Sequence, residues 1–392
     1  MNNFIFHSPT KFVFGKDTEN EVGQLLKTYN ATKVLIHYGT GSIKRSGLFD
    51  RVVKSINQAG IDFVELGGVV PNPRDTLVYE GIELCKKENV DFVLAVGGGS
   101  AIDSAKAIAA GAKYDGDFWD FYARKVEMKD ALDIGVILTI PAAGSEGSQS
   151  AVITKTDGML KRGLNSPFYR PQFSIINPEL TYTLPTYQTS AGVVDMMGHI
   201  FERYLTNSDN TLFIDRLAEG TLVSIIESAK KLMDEPTNYE ARAVICWAGT
   251  IAHNGFFGVG RQEDWASHGL EHELSALYDV THGAGLSVIY PAYMKYTLEV
   301  DIERYKRFAI KVFGVDPTDK TDQQIALEGI SELEAFYEEI GMPTRFEGID
   351  AEEKDIDKLV NKLEENTGGT FGNFKKLNMK DAKRIYELAC SK

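Results

Sequence analysis

The chain has 392 residues, 42 Lys plus Arg against 56 Asp plus Glu, and a formal net charge of −14. At roughly 150 residues per domain this is material for two or three domains with buried cores. The acidic balance speaks against a binder of nucleic-acid phosphates, and no apolar run approaches the ~18 residues of a membrane span.

The start, Met1-Asn2-Asn3-Phe4-Ile5-Phe6, lacks a basic, cleavable leader, so secretion is not expected. Thr18-Glu19-Asn20-Glu21 fits a capping box that opens a helix to about Tyr29. Lys33–Tyr38, Ile61–Leu66, Asp91–Val96 and Ile134–Ile140 are short apolar runs of strand type. Helix-period segments lie between them, near Gly47–Ala59, Arg74–Asn89 and Ala101–Ala112. Continuous apolar strands separated by helices are the pattern of a parallel sheet covered on both faces. After Pro178 the texture changes to successive helical segments: Thr186–Thr206, Phe213–Met233, Tyr239–Phe257, Asp264–Leu277 and Gln323–Ile340. The expected organisation is an α/β domain over residues 1–180 and an all-helical domain over 181–392. Asp350–Glu365 reads as a solvated, charged helix face. Cys85, Cys246 and Cys390 make no CxxC and read as buried thiols of a reducing cytoplasm.

Three glycine-containing turns follow strands. Gly97-Gly98-Gly99-Ser100 stands between a buried strand and a helix carrying Asp103 and Lys106. Such glycines either let a phosphate approach the backbone at a helix start or satisfy a connection that needs φ > 0. The G-x-G-x-x-G fingerprint with its downstream acid is absent, so a standard Rossmann dehydrogenase is not indicated. Gly39-Thr40-Gly41-Ser42-Ile43-Lys44-Arg45 offers small residues, hydroxyls and two cations but no carboxylate for a ribose 2′-OH, which favours NADP(H) over NAD(H). In Thr139-Ile140-Pro141-Ala142-Ala143-Gly144, Thr139 and Ala142 are candidates to line a nicotinamide-ribose and pyrophosphate pocket.

Four of the seven histidines are patterned in the helical half. Asp195 and His199 stand at i, i+4, as do His268 and His272, so each pair shares a helix face. His282 follows in the turn-like Thr281-His282-Gly283-Ala284-Gly285. A lone i, i+4 His pair is usually an ordinary surface or core feature, but one carboxylate and several imidazoles together suit a borderline ion such as Fe²⁺ or Zn²⁺. His272 is open to three readings: ligand, neighbour of a ligand, or proton relay. His7, His37 and His253 have no comparable neighbours and read as structural.

Taken together, Pro71-Asn72-Pro73, Gly97–Asp103 and the stretch Asp264–Gly283 resemble, almost end to end, the iron-containing (group III) alcohol dehydrogenases, and most closely their NADPH-dependent butanol dehydrogenase branch. The resemblance implies an active site in a cleft between an N-terminal dinucleotide domain and a C-terminal helical domain. It implies Asp195, His199, His268 and His282 as ligands of Fe²⁺ or Zn²⁺, and His272 as a non-ligand active-site histidine near nicotinamide and substrate. It places Asn72, Gly98, Gly99, Ser100, Asp103, Ser148 and Lys161 around the cofactor, and Gly39, Thr40 and Ser42 at the adenosine ribose. Two departures stand out. Ala143 replaces a threonine that gives a hydroxyl contact to the cofactor, and Asn177 replaces an aspartate before Pro178. The expected activity is hydride transfer between NADP(H) and a short-chain alcohol or aldehyde of butanol/butanal type, in a cytoplasmic homodimer that pairs through Phe4–Phe6 and Lys11–Phe14. An NAD-linked polyol dehydrogenase, a dehydroquinate-synthase-like reaction, and a nucleotide- or metal-binding protein without activity are the alternatives.

Overall fold

The apolar runs of the first half build one six-stranded sheet in a computed structural model that describes residues 1–390. Its strands are β1 (Lys11–Phe14), β2 (Lys33–Gly39), β3 (Asp62–Val69), β4 (Phe92–Gly98), β5 (Asp133–Ile140) and, past a separate antiparallel hairpin of β6 (Ser150–Lys155) and β7 (Leu160–Asn165), β8 (Phe173–Ile176). All pairs in the main sheet are parallel, in the order β1-β8-β5-β4-β2-β3. The chain runs outward from β2 to β3 and then returns to place β4 on the other side of β2. That reversal is the topological switch point at which open α/β sheets bind ligands. β2 to β4 extend one to three residues beyond the expected ends because pairing continues through the glycines, as in Gly98↔Ile140.

The helices of this unit include α1 (Val22–Thr28), α2 (Ser42–Arg45), α3 (Leu48–Gln58), α4 (Asp75–Glu88), α5 (Gly99–Ala112) and α6 (Trp119–Tyr122). The expected capping box does not form. Asp17 at the left-handed position starts a 3₁₀ turn over Thr18–Glu21, and the Thr18 hydroxyl donates backward to the Gly15 carbonyl at 2.8 Å. Glu19 is buried instead, receiving Arg51 Nε at 3.1 Å and Asn177 Nδ2 at 2.9 Å. An aspartate at 177 would set a second carboxylate against Glu19, so the departure at this position fits its partner.

His37 on β2 is fully buried, and Nδ1 faces the Leu66 carbonyl at 2.8 Å. A carbonyl only accepts, so Nδ1 carries the proton and Nε2 accepts from the Ser104 hydroxyl at 2.8 Å. Burial pushes this imidazole down from 6.5 to about 4. The unfolded chain takes up a proton at the ordinary pKa and the folded chain does not, so stability is lost as pH falls from 6.5 towards 4, by about 3 kcal/mol from this group. Denaturant midpoints at pH 7 and pH 4.5 check this: His37→Phe, although weaker at neutral pH, is expected to show a smaller loss between the two.

The second unit begins at Pro185 and includes Met1–Phe6. The expected division at 180/181 therefore moves to 184/185, because Leu180 still packs on the core of the first unit and Pro185 precedes the next helix. Met1–Phe6 is not a strand: Asn2 N–H donates to the Gly260 carbonyl at 2.8 Å and Phe6 meets Phe256 edge-on at 6.2 Å. Its helices are α7 (Thr186–Tyr204), α8 (Leu212–Asp234), α9 (Tyr239–His253), α10 (Ala266–Tyr278), α11 (His282–Thr297), α12 (Ile302–Val312), α13 (Asp322–Glu339), α14 (Ile356–Thr367) and α15 (Met379–Cys390). The unit is not purely helical: Thr370–Phe371 and Leu377–Asn378 form a short antiparallel pair. Cys85 and Cys246 are buried, whereas Cys390 is partly exposed, contrary to the sequence expectation. Among the described residues no helix is long and apolar enough to cross a membrane.

Candidate active site

The first unit brings its three glycine turns to one rim of the sheet. The 39–42 turn ends β2, the 97–100 turn ends β4, and the 139–145 turn ends β5, on neighbouring strands. Gly97, Gly98 and Gly99 are not among the positive-φ glycines, so the φ > 0 explanation for them is wrong. Close approach is the reason: a Cβ on Gly98 would lie 2.7 Å from Ile140 Cβ, and one on Gly99 3.2 Å from Ala143 Cβ. α5 starts at Gly99 with no side-chain cap, so its first N–H groups and Ser100 are available to an anion.

Several expected cofactor residues are engaged with the protein itself. Asp103 Oδ1 accepts from the Ser145 hydroxyl at 2.6 Å and Oδ2 from Val152 N–H at 2.8 Å. Ser148 is buried, with its hydroxyl 3.2 Å from Ser150 N–H. Lys106, one turn after Asp103, is fully buried and donates to Ser145 Oγ and to the carbonyls of Ser145, Ser148 and Ser150 at 2.7–3.1 Å. Burial pushes its pKa down to about 8 against the opposing charges of Asp103 and Glu146. The β6–β7 hairpin docks on the 71–74 turn, where Lys161 donates to Asn72 Oδ1 at 3.0 Å, both side chains buried. Thr139 and Ala142 are half-buried at the end of β5, while Thr40 and Ser42 are exposed and Gly39 half-buried. Lys44 pairs with Glu65 at 2.8 Å and lies 5.2 Å from the Tyr38 ring centre.

The second unit brings the patterned histidines together. Asp195 and His199 project from one face of α7, Oδ1 to Nε2 3.3 Å. His268, in the first turn of α10, sets its ring 4.7 Å from that of His199. His282 is not in a turn but is the first residue of α11, and its Nε2 lies 3.8 Å from Asp195 Oδ1. The start of α11 comes this near α7 because residue 283 has no side chain: a Cβ there would stand 2.0 Å from the Ala191 carbonyl oxygen. Ligand atoms of Asp195, His268 and His282 lie within 4.8 Å of one another.

This donor set fits a divalent ion. His268 Nε2 is buried and has no hydrogen-bond partner, while its Nδ1 meets Glu202 at 2.7 Å. Burial first, then the neighbouring His253 and His268, pushes the His199 imidazole well below its ordinary pKa, which keeps it in the neutral form that binds metals. One carboxylate and three imidazoles suit Fe²⁺ or Zn²⁺.

His272 is half-buried and grouped with Glu271 and His282 rather than with Asp195, its ring 5.8 Å from that of His282. Three further contributors lie outside the i, i+4 pattern. His253, the last residue of α9, stacks on His199 with ring centres 4.0 Å apart, and Arg203 donates to its Nδ1 at 3.1 Å. Glu202 and Glu271 are buried carboxylates against His268 and His282. The signal available for Glu202 was an acidic residue three positions after His199, on the same side of the helix.

Residues 9–178 match the family described as iron-containing alcohol dehydrogenase, and residues 189–390 match the C-terminal region of the Fe-containing alcohol dehydrogenase family. The chain is 46% identical over 389 residues to a probable NADH-dependent butanol dehydrogenase 1 of Bacillus subtilis, covering 99% of this chain and 100% of that one. It is 35% identical to the NADPH-dependent aldehyde reductase YqhD of Escherichia coli, covering 99% and 100%. The crystal structure of an NADH-dependent butanol dehydrogenase A from Thermotoga maritima superposes with a TM-score of 0.97 at 42% identity, over 100% of this chain and 99% of that one. Both halves of the chain match, and the chain belongs to the iron-containing alcohol dehydrogenases, which use a nicotinamide cofactor and iron.

Proposed function

We propose that this alcohol dehydrogenase interconverts short-chain aldehydes and primary alcohols of butanal/butanol type with NADP(H). Asp195, His199, His268 and His282 hold the ion, which is Fe²⁺ or Zn²⁺. The observation that carries the reading is the convergence of one carboxylate and three imidazoles from three helices, with the buried His268 Nε2 otherwise unsatisfied. A bound ion supplies Lewis-acid polarisation of a substrate oxygen, and a nicotinamide supplies the hydride chemistry.

This chain's residues do the rest. The 97–100 turn and the N–H groups that open α5 take up the pyrophosphate, with Asn72, Thr139, Ala142, Ser148 and Lys161 lining the remainder of the nucleotide path. Asp103 serves by holding Ser145 and Val152 rather than by touching the nucleotide. His272, half-buried beside His282, exchanges the proton between substrate oxygen and solvent.

The preference for NADP(H) rests on the 39–42 turn, which has no carboxylate to meet a ribose 2′-OH and leaves the exposed Arg45 nearby for a 2′-phosphate. One observation favours NAD(H) as a second reading: the other cation, Lys44, is already paired with Glu65. Three widely spaced cysteines, two of them buried, fit a reducing cytoplasm. β1 forms one edge of the sheet and supports a homodimer joined there, although Phe4–Phe6 does not extend it.

Chelator-stripped protein reloaded with Fe²⁺ or Zn²⁺ and given butanal tests the reading. NADPH is expected to be consumed faster than NADH, only after reloading, and His272→Ala to slow turnover while keeping the ion. Faster NADH consumption selects the second reading. Unchanged turnover of His272→Ala across pH removes the proton role.

A further inference from the structure

We propose that Glu202 and Glu271 are positioning residues that fix the tautomer and aim of His268 and His282, so that the ion site is assembled before an ion arrives. The inference rests on the reading of Asp195, His199, His268 and His282 as ligands.

Glu202 lies on α7, the helix that also carries Asp195 and His199, and is 1% exposed. Its Oε1 accepts from the backbone N–H of His268 at 3.0 Å and from its ring Nδ1 at 2.7 Å, and its Oε2 accepts from Trp265 N–H at 2.6 Å. α10 has no cap from its own preceding residue, because Trp265 sits there in the left-handed conformation. The carboxylate on α7 takes that place, where a negative charge meets the helix N-terminal N–H groups favourably. A carboxylate that receives Nδ1–H leaves the lone pair on Nε2, and Nε2 is the buried atom of His268 that has no partner. One side chain thus docks α10 on α7 and sets which nitrogen of His268 is presented.

Glu271 repeats the device between α10 and α11. It is wholly buried, its Oε2 faces His282 Nδ1, and its Oε1 accepts from the Ser275 hydroxyl. His282 is left with Nε2 towards Asp195. The start of α11 is shaped around this carboxylate, since a Cβ on residue 285 would stand 2.6 Å from Glu271 Oε1. The two glutamates therefore link the three ligand-bearing helices in series, α7 to α10 and α10 to α11. Partners of this kind raise the basicity of a ligand imidazole and remove the need to reorient it on binding.

The test is ion affinity, not turnover. Wild type, E202Q, E271Q and H268A are titrated anaerobically with Fe²⁺ and with Zn²⁺ in competition with a chromophoric chelator. Imidazole ¹⁵N shifts are recorded on the ion-free proteins. Each glutamine variant is expected to bind about 10- to 100-fold more weakly, and to lose the single Nδ1–H tautomer of the histidine it faces. Affinity within twofold of wild type with unchanged tautomers overturns the proposal. E271Q caps no helix, so it carries the test if E202Q does not fold. H268A binding as tightly as wild type would instead sink the ligand reading itself.

Discussion

His268→Ala is expected to lose its ion and about three orders of magnitude of turnover, because Lewis-acid polarisation by a metal is worth several kcal/mol and each 1.36 kcal/mol is a factor of ten. The substitution removes one of three imidazoles while leaving most of the local structure supported. Glu202 loses only its ring partner and keeps the two backbone N–H groups of Trp265 and His268. His253→Ala is the informative comparator. It stacks on His199 as closely as any ring in the site, yet its Nδ1 is taken by Arg203, so this variant is expected to retain the ion. Metal content by elemental analysis and kcat/KM with butanal measure both variants. Full ion content and turnover in His268→Ala removes it from the ligand set.

The candidate ion site is legible in the sequence where spacing along one helix decides geometry. Asp195/His199 share a face of α7 because residues four apart on a helix must, and the structure sets them 3.3 Å apart. His282 was legible as a contributor but not as the first residue of a helix. The glycines around it suggested a turn, whereas they exist so that α11 can press against Ala191 and Glu271. Contacts between different helices left no periodic trace, which is why Glu202 and Glu271 went unread and His253 was read as having no comparable neighbours although it stacks on His199. In the first unit the alternating apolar runs gave the parallel sheet, but β6, β7 and β8 were missed, β6 and β7 being only partly buried and β8 only 4 residues long. Motif reading also assigns a residue to a ligand more readily than to the frame behind it. Asp103 and Ser148, read from motifs as cofactor residues, spend polar atoms on the 145–152 segment.

Lys106 is the residue on which that segment depends most, and its removal is expected to be the costliest single change in the first unit. Its ammonium satisfies the carbonyls of Ser145, Ser148 and Ser150 from within the fold. Lys106→Met keeps the volume and leaves those acceptors, together with the negative Asp103, without their cation. A buried acceptor stripped of its partner costs about 1–3 kcal/mol, and three carbonyls lose theirs at once, so a stability loss of about 3–5 kcal/mol follows. The same segment closes the rim at the end of β5, so the KM for the dinucleotide is expected to rise about tenfold or more, the equivalent of ~1.4 kcal/mol of lost binding. Ion content should not change, since none of the four proposed ion ligands belongs to this unit. The pH dependence separates the role of the charge from that of packing. Burial holds the folded pKa near 8 against 10.5 for an ordinary lysine. Between those values the unfolded chain binds the extra proton, so this group makes the folded state gain stability as pH rises from about 8 towards 10.5. Melting curves across that range should show the gain in wild type and its absence in Lys106→Met. A variant that melts like wild type at every pH and binds the dinucleotide equally well would show that the knot around Lys106 does not hold the rim.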